Sequence, residues 1–221
     1  MHPVLLANTQ GRDFILADLH GHRNLLEKAL VGCQFDPDAD RLISVGDLID
    51  RGPDSLACLE LLNEPWFYLV RGNHEQMMID AVLKGAPTAW SLWVRNGGSW
   101  ALECSEEVLQ GWASRLDALP LTLTVHHQKG LYGICHAQYS LPDWQDRLTA
   151  SQQHQTDWLW GRDRVKQSTP NGVVGVDCLF HGHTIVDGVT RKANSIYLDC
   201  GAYAGGPLVL LAVDDCLPFN P

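Results

Sequence analysis

The chain lacks any apolar run of membrane-spanning length. The longest clear one near its end, residues 208–213, falls far short of the roughly 20 residues a spanning helix needs. Residues 1–7 have neither the basic n-region nor the full apolar h-region of a secretory leader, so none is expected. There is no C-x-x-C pair, and the seven cysteines are an odd number. That pattern suggests neither a disulfide framework nor a structural zinc site, and points to free thiols in a reducing cytoplasm. Basic residues are scarce: 16 Lys plus Arg face 26 Asp plus Glu, a net charge of −10. Such a chain repels nucleic-acid phosphates and anionic membrane surfaces, so neither partner is expected. The motifs G-x-x-x-x-G-K-[ST], G-x-S-x-G and H-E-x-x-H are also missing, which removes three common catalytic classes.

What remains is an ordinary globular composition. Hydrophobic residues make up 45% and charged residues 19% of 221, enough to build a core and too apolar for disorder. The length suits one domain, residues 1–221. Strand-like runs at 14–17, 42–45 and 66–70 alternate with helical periodicity at 24–31, 55–62 and 76–83. Further strand-like runs lie at 121–125, 131–135, 178–180, 195–199 and 207–213. The expected class is α+β, with two mixed β-sheets packed as a sandwich and flanked by helices. Residues 85–100, with three tryptophans, and the Gln-rich stretch 138–173 fit this pattern less well and read as excursions or a cap.

A polar cluster follows each of five strand-like runs. They are Asp18-Leu19-His20-Gly21, the loop Gly46-Asp47-Leu48-Ile49-Asp50-Arg51-Gly52, Gly72-Asn73-His74-Glu75, His136-Ala137 and His181-Gly182-His183-Thr184. Each alone has a plain explanation: an Asp–Arg surface pair in a turn, an Asn helix cap at Asn73, a satisfied structural histidine. Together they offer oxygen and nitrogen donors without sulfur, a set suited to Mn²⁺, Fe or Zn²⁺. Loops at strand ends are also where α/β architectures carry ligands.

At these residues the sequence resembles the metallophosphoesterase superfamily. More narrowly it is similar to PPP-type serine/threonine protein phosphatases of the bacteriophage lambda kind and their bacterial relatives. The likeness runs in order from about Phe14 to Leu211, and includes Asn96-Gly97-Gly98, Leu159-Trp160-Gly161-Arg162 and Asp199-Cys200-Gly201-Ala202. Two positions depart from the pattern: Ala17 stands for glycine, and Gln138 for an Asp that would sit behind the metal donors.

The resemblance implies a calcineurin-like fold and two divalent ions, Mn²⁺ first with Fe or Zn²⁺ as alternatives. Asp18, His20 and Asp47 would hold one ion, and Asp47, Asn73, His136 and His183 the other. Arg51 and Arg162, with Asn73 beside them, would bind the phosphoryl group. Arg164 is the alternative to Arg162, because Arg-Asp-Arg allows a shift of register. His74, oriented by Asp50, would be the general acid. His181 matches no ligand position. The implied activity is hydrolysis of phosphoserine and phosphothreonine, with phosphotyrosine possible, by direct attack of a hydroxide shared between the ions. Phosphorylated proteins or peptides would be the substrates; the oligomeric state is not legible. Two other readings stand beside this one. A symmetrical dinucleoside tetraphosphate hydrolase of the same fold is disfavoured by Asp50 and Glu75. A non-catalytic phosphoprotein-binding module should have lost a ligand or the acid, and none is lost.

Overall fold

A strand covered on both faces must be apolar along its whole length, and the run Phe14-Ile15-Leu16 is buried at every position. The computed structural model, which describes residues 2–216, places it in β2. In chain order the elements are β1 (Val4–Leu5), β2 (Asp13–Leu16), α1 (Arg23–Gly32), β3 (Arg41–Ser44), α2 (Ser55–Leu59), β4 (Phe67–Leu69), α3 (Asn73–Val82) and α4 (Ala89–Arg95). Then come α5 (Glu106–Asp117), β5 (Thr122–His127), β6 (Gly130–Cys135), α6 (Gln152–Trp160), α7 (Asp163–Lys166), β7 (Cys178–His181), β8 (Thr190–Lys192), β9 (Ser195–Tyr197) and β10 (Leu210–Ala212). The ends of the expected 1–221 domain, residue 1 and residues 217–221, lie outside the described residues.

The strands form two mixed sheets, as expected. The smaller has the order β10-β2-β3-β4 and the larger β1-β5-β6-β7-β9-β8. In the smaller, β2, β3 and β4 run parallel, joined by helical crossovers, and β10 is antiparallel to β2. In the larger, β5 and β6 form an antiparallel hairpin, and β6, β7 and β9 run parallel. Leu16 pairs with Ser44 and Ser44 with Leu69, so the three parallel strands finish level. That common rim is where the polar clusters begin.

Side chains alternate across each strand, so each sheet offers two faces. Ile15, Ala17, Ile43 and Val45 meet Val125, Ile134, Phe180 and Ile196 in the core between the sheets. Phe14, Leu16 and Leu42 face the other way, into a core shared with α1, α2, α3, α4 and α5. Truncating a fully buried Phe180 would cost about 3–5 kcal/mol.

Both irregular stretches carry structure. Residues 85–100 supply α4 and part of a 3-10 turn, Gly98–Glu103, and Trp93 is wholly buried in the helical core. In 138–173, Tyr139, Trp144 and Trp158 cover the outer face of the larger sheet beside Leu179. These segments are therefore core layers as well as loops. Helix α3 starts at Asn73, three residues before the expected 76. Its cap is Gly72 in extended conformation, whose N–H donates to the Glu75 carboxylate at 2.8 Å. All seven cysteines are free. No helix among the described residues is long and apolar enough to cross a membrane.

Candidate active site

Strand order carries the five clusters to one place. β2, β3 and β4 deliver Asp18 and His20, Asp47, and Asn73 and His74 from the smaller sheet; β6 and β7 deliver His136 and His183 from the larger. The backbone there is unusual. Among the described residues, seven non-glycine positions have positive φ, and five are His20 (46°), Asp47 (53°), Asp50 (76°), Arg51 (72°) and His183 (66°). Such conformations cost of order 1–3 kcal/mol each and persist where the surroundings enforce them.

Glu75 is one of the enforcers. Fully buried, its carboxylate accepts the N–H of Asp47 at 2.9 Å, of Leu48 at 2.8 Å and of Gly72 at 2.8 Å. It thus ties the β3 loop to the start of α3. Gly97 is another fixed point: its carbonyl accepts the Arg51 N–H at 3.1 Å, and a Cβ there would sit 2.7 Å from the Arg51 backbone nitrogen. With φ at +116°, this position takes glycine for two separate reasons.

The donors fall into two groups that share Asp47. His20, Asp47 and His74 have potential ligand atoms within 4.8 Å of one another, and so do Asp47, His136 and His183. The hydrogen bonds fix the tautomers. His20 Nδ1 gives its proton to the Ile49 carbonyl at 3.0 Å, which leaves the Nε2 lone pair free. That lone pair accepts Arg51 Nη1 at 2.8 Å and lies 3.7 Å from Asp47 Oδ2. His183 Nε2 accepts the Arg162 Nε–H at 3.0 Å, so Nδ1 donates to Asn73 Oδ1 at 2.8 Å. Burial pushes both His20 and His183 down to about 3.

His136 is the opposite case. Nδ1 meets the Val45 carbonyl at 2.9 Å, and Nε2 meets Asn73 Oδ1 at 2.9 Å and Asp47 Oδ1 at 3.4 Å. Every neighbour accepts, so both nitrogens carry protons. Burial opposes that charge, but the Asp47 carboxylate overrides it and lifts His136 to about 10. Burial, then Asp199 and Asp47, raise the Asp18 carboxyl well above the ordinary range. Asp18 Oδ2 accepts the His183 N–H at 2.9 Å, while Oδ1 is buried with no partner. An orphaned carboxylate oxygen and an imidazolium held where carboxylates converge both fit a place built for cations. Lone pairs from carboxylate, amide and imidazole, with no thiolate, suit Mn²⁺, Fe or Zn²⁺.

Beside these donors lies a cavity of about 170 Å³, bordered by Asp47, Arg51, Asn73, Arg162, His183 and Asp199. Arg51 and Arg162 are exposed and supply its positive charge. Arg164 points elsewhere: its Nη2 donates to the Asn171 carbonyl, so of this pair it is Arg162 that borders the cavity. His74, buried, donates from its backbone to Asp47 Oδ1 at 3.0 Å and pairs through Nδ1 with Asp50 Oδ2 at 2.7 Å. His181 bonds through Nδ1 to the Cys135 carbonyl at 2.7 Å and stacks on Tyr197, away from the donor groups.

Two sequence expectations change. Asn73 is not the cap of α3; Gly72 is, which frees the Asn73 amide for the two histidines. Gln138 does not sit behind a metal donor. Its Oε1 accepts the N–H groups of Asp163 and Arg164, each at 2.9 Å, and so holds the turn that presents Arg162. Four site neighbours were given no role from sequence. Asp199 and Tyr203 border the cavity, and Tyr203 stacks under the Arg51 guanidinium at 4.1 Å. Trp93 and Trp100 donate to Asp50. The signal for the first pair was Asp199-Cys200-Gly201; the second pair lay among the unexplained tryptophans.

The sequence model of the calcineurin-like phosphoesterase family matches residues 14–187, spanning all the donors named above. The chain belongs to the calcineurin-like phosphoesterase family. Within it, the chain is 41% identical over 205 residues to serine/threonine-protein phosphatase 1 of Salmonella typhimurium, covering 90% of this chain and 91% of the relative. Likeness to a symmetrical bis(5'-nucleosyl)-tetraphosphatase of Dechloromonas aromatica is narrower: 33% over 138 residues, 59% of this chain and 45% of that one. Among solved structures, a mutant of a cold-active protein tyrosine phosphatase superposes with a TM-score of 0.65 at 17% identity, over 96% of this chain and 77% of that one. That likeness speaks for the phosphoesterase fold alone.

Proposed function

We infer that this chain is a metal-dependent serine/threonine protein phosphatase, a phosphoric monoester hydrolase. The observation that carries the reading is Asp47, a single carboxylate shared by two donor groups beside an arginine-lined cavity. Asp18, His20 and Asp47 would hold one divalent ion, with the unpaired Asp18 Oδ1 completing that set. Asp47, Asn73, His136 and His183 would hold the second. Manganese is the ion we assign first, and the mixture of oxygen and imidazole donors admits Fe or Zn²⁺ as well. When bound, the two cations supply Lewis-acid charge and a water acidified to near neutrality.

The chain's own residues do the rest. Arg51 and Arg162 bind the phosphoryl oxygens, since a planar guanidinium donates in pairs to such oxygens. The amide of Asn73 lies at the same wall. His74, held through Nδ1 by Asp50, gives the proton on Nε2 to the serine or threonine oxygen as the P–O bond breaks. No side chain becomes covalently attached to phosphorus, so no cysteine is needed. A cavity of about 170 Å³ takes a phosphoryl group and leaves the rest of a large substrate outside, as a phosphoprotein requires.

Residues from both sheets meet in one site above the core between the sheets, which supports a single working domain. The net charge of −10 speaks against nucleic acid or an anionic membrane as partner, and seven free thiols favour the cytoplasm.

The test assays the purified chain on phosphoserine, phosphothreonine and phosphotyrosine peptides and on a symmetrical dinucleoside tetraphosphate, each with Mn²⁺ and with chelator. Metal-dependent phosphate release from the peptides, exceeding tetraphosphate cleavage, is expected. Faster tetraphosphate cleavage would reassign the substrate, and peptide binding without hydrolysis would make the chain a recognition module.

A further inference from the structure

We propose that Trp93 and Trp100 are positioning residues: their indole N–H groups clamp the Asp50 carboxylate and thereby fix the ring of His74. The inference rests on His74 being the proton donor. Asp50 is fully buried, so its oxygens are served by protein groups. Trp100 Nε1 donates to Oδ1 at 2.8 Å, Trp93 Nε1 to Oδ2 at 2.9 Å and Oδ1 at 3.1 Å, and His74 Nδ1 meets Oδ2 at 2.7 Å. The Asp50 N–H donates to Ser55 Oγ at 2.9 Å, which pins the main chain as well. Three separate segments therefore converge on one carboxylate: α3, α4 and the turn Gly98–Glu103.

The choice of donor matters. An indole is donor only and neutral, so it orients a carboxylate without offering it a competing acceptor or a second positive charge. Hydrogen bonds to a charged acceptor are the stronger kind, and a dry site strengthens them further. The two rings meet edge-on at 5.7 Å and 88°, so each blocks rotation of the other. Gly98 keeps the approach open: a Cβ there would lie 2.6 Å from Trp93 Nε1. If these tryptophans were only core, their N–H groups would need no common target. Trp90 provides the contrast. It packs edge-on against Trp93 at 5.5 Å, is partly exposed, and has no bond to Asp50.

The test compares Trp93→Phe, Trp100→Phe and Trp90→Phe on a phosphoserine peptide and on p-nitrophenyl phosphate, whose leaving group needs no proton. Misplacing a catalytic group by about 1 Å costs on the order of 100-fold, so losing one clamp should lower kcat on the peptide roughly 10- to 100-fold. KM and bound metal should stay unchanged, the loss on the aryl ester should be much smaller, and Trp90→Phe should match the parent on both. In ¹H–¹⁵N spectra, two of the eight indole resonances should lie downfield and move upfield in Asp50→Asn, whatever the activity. Equal kcat losses on both substrates, or no indole resonance responding to Asp50→Asn, would overturn the inference. A leaving-group effect in His74→Asn without one in the tryptophan variants would overturn it alone. No such effect in His74→Asn would remove the proton-donor reading and this inference with it.

Discussion

Glu75 Oε2 accepts the main-chain N–H of Asp47 at 2.9 Å, joining the helix that carries His74 to the loop that carries the shared carboxylate. The acidic end of this third cluster is therefore a scaffold for the second. Glu75→Gln keeps the shape but turns an NH₂ group toward main-chain donors. Loss of a buried acceptor of this kind costs about 1–3 kcal/mol. A lower melting temperature and fewer metals per chain by elemental analysis are expected; unchanged values for both would contradict the scaffold role.

His74→Asn removes the proton donor of the proposed reaction and one imidazole of the first group, but keeps Asp18, His20 and Asp47, the residues proposed to hold that ion, and the whole second group. Activity on phosphoserine peptides should fall by roughly 10²–10⁴-fold, and on aryl phosphates far less. Metal content should hold. Steady-state kinetics on the two substrates decide the matter.

Arg162→Ala should chiefly weaken substrate and inorganic phosphate binding. A charged hydrogen bond of this type is worth about 1.5–3 kcal/mol, so KM and the phosphate inhibition constant should rise by one to two orders of magnitude. Arg164→Ala should leave both unchanged, since its guanidinium binds the Asn171 carbonyl. The reverse outcome would exchange their roles.

Gln138→Ala should loosen the Arg162 turn by removing the acceptor shared by Asp163 and Arg164. A rise in KM of roughly 3- to 10-fold is expected, in line with about 1 kcal/mol for a net hydrogen bond. Metal content should not change. Depleted metal would instead place Gln138 behind the donors.

In protein stripped by chelator, the histidines pull stability in opposite directions. His136, raised from 6.5 to about 10, contributes stability that is complete below pH 6.5 and fades as pH rises through about 10. His20 and His183, lowered from 6.5 to about 3, contribute stability that is complete above pH 6.5 and fades as pH falls through about 3. These three histidines alone would place the metal-free maximum near pH 6.5, and the raised Asp18 carboxyl, whose contribution fades as pH rises, pulls that maximum toward lower pH. Metal affinity should climb with pH across the neutral range, because binding displaces the His136 proton. Calorimetry from pH 4 to 10, with and without Mn²⁺, checks both.

The five clusters were legible because each follows a short apolar run that is mostly buried, and such runs announce strands of a covered sheet. Which residues would meet was legible only through resemblance, since the two sheets deliver them from opposite layers. The three-residue strand β8 and two-residue β1 were not legible, because so few residues display no alternation. The start of α3 was missed because its cap is Gly72, which has no side-chain oxygen to announce a cap, and the Glu75 carboxylate three residues on supplies the bond to the Gly72 N–H instead. The indole clamps lie 43 and 50 residues from Asp50, beyond any local pattern. Tyr203 reaches Arg51 only because Gly201, at φ +74°, turns the chain back after Asp199.

The donors hang from two different sheets: Asp18, His20, Asp47 and Asn73 from one, His136 and His183 from the other. The second cation, gripped by both, would act as a rivet through the sandwich, so that filling its place and locking the two layers become one event. Shear of the layers and loss of turnover should then share a single temperature, and any variant that slackens the core around Ile15 and Phe180 should leak metal before it unfolds.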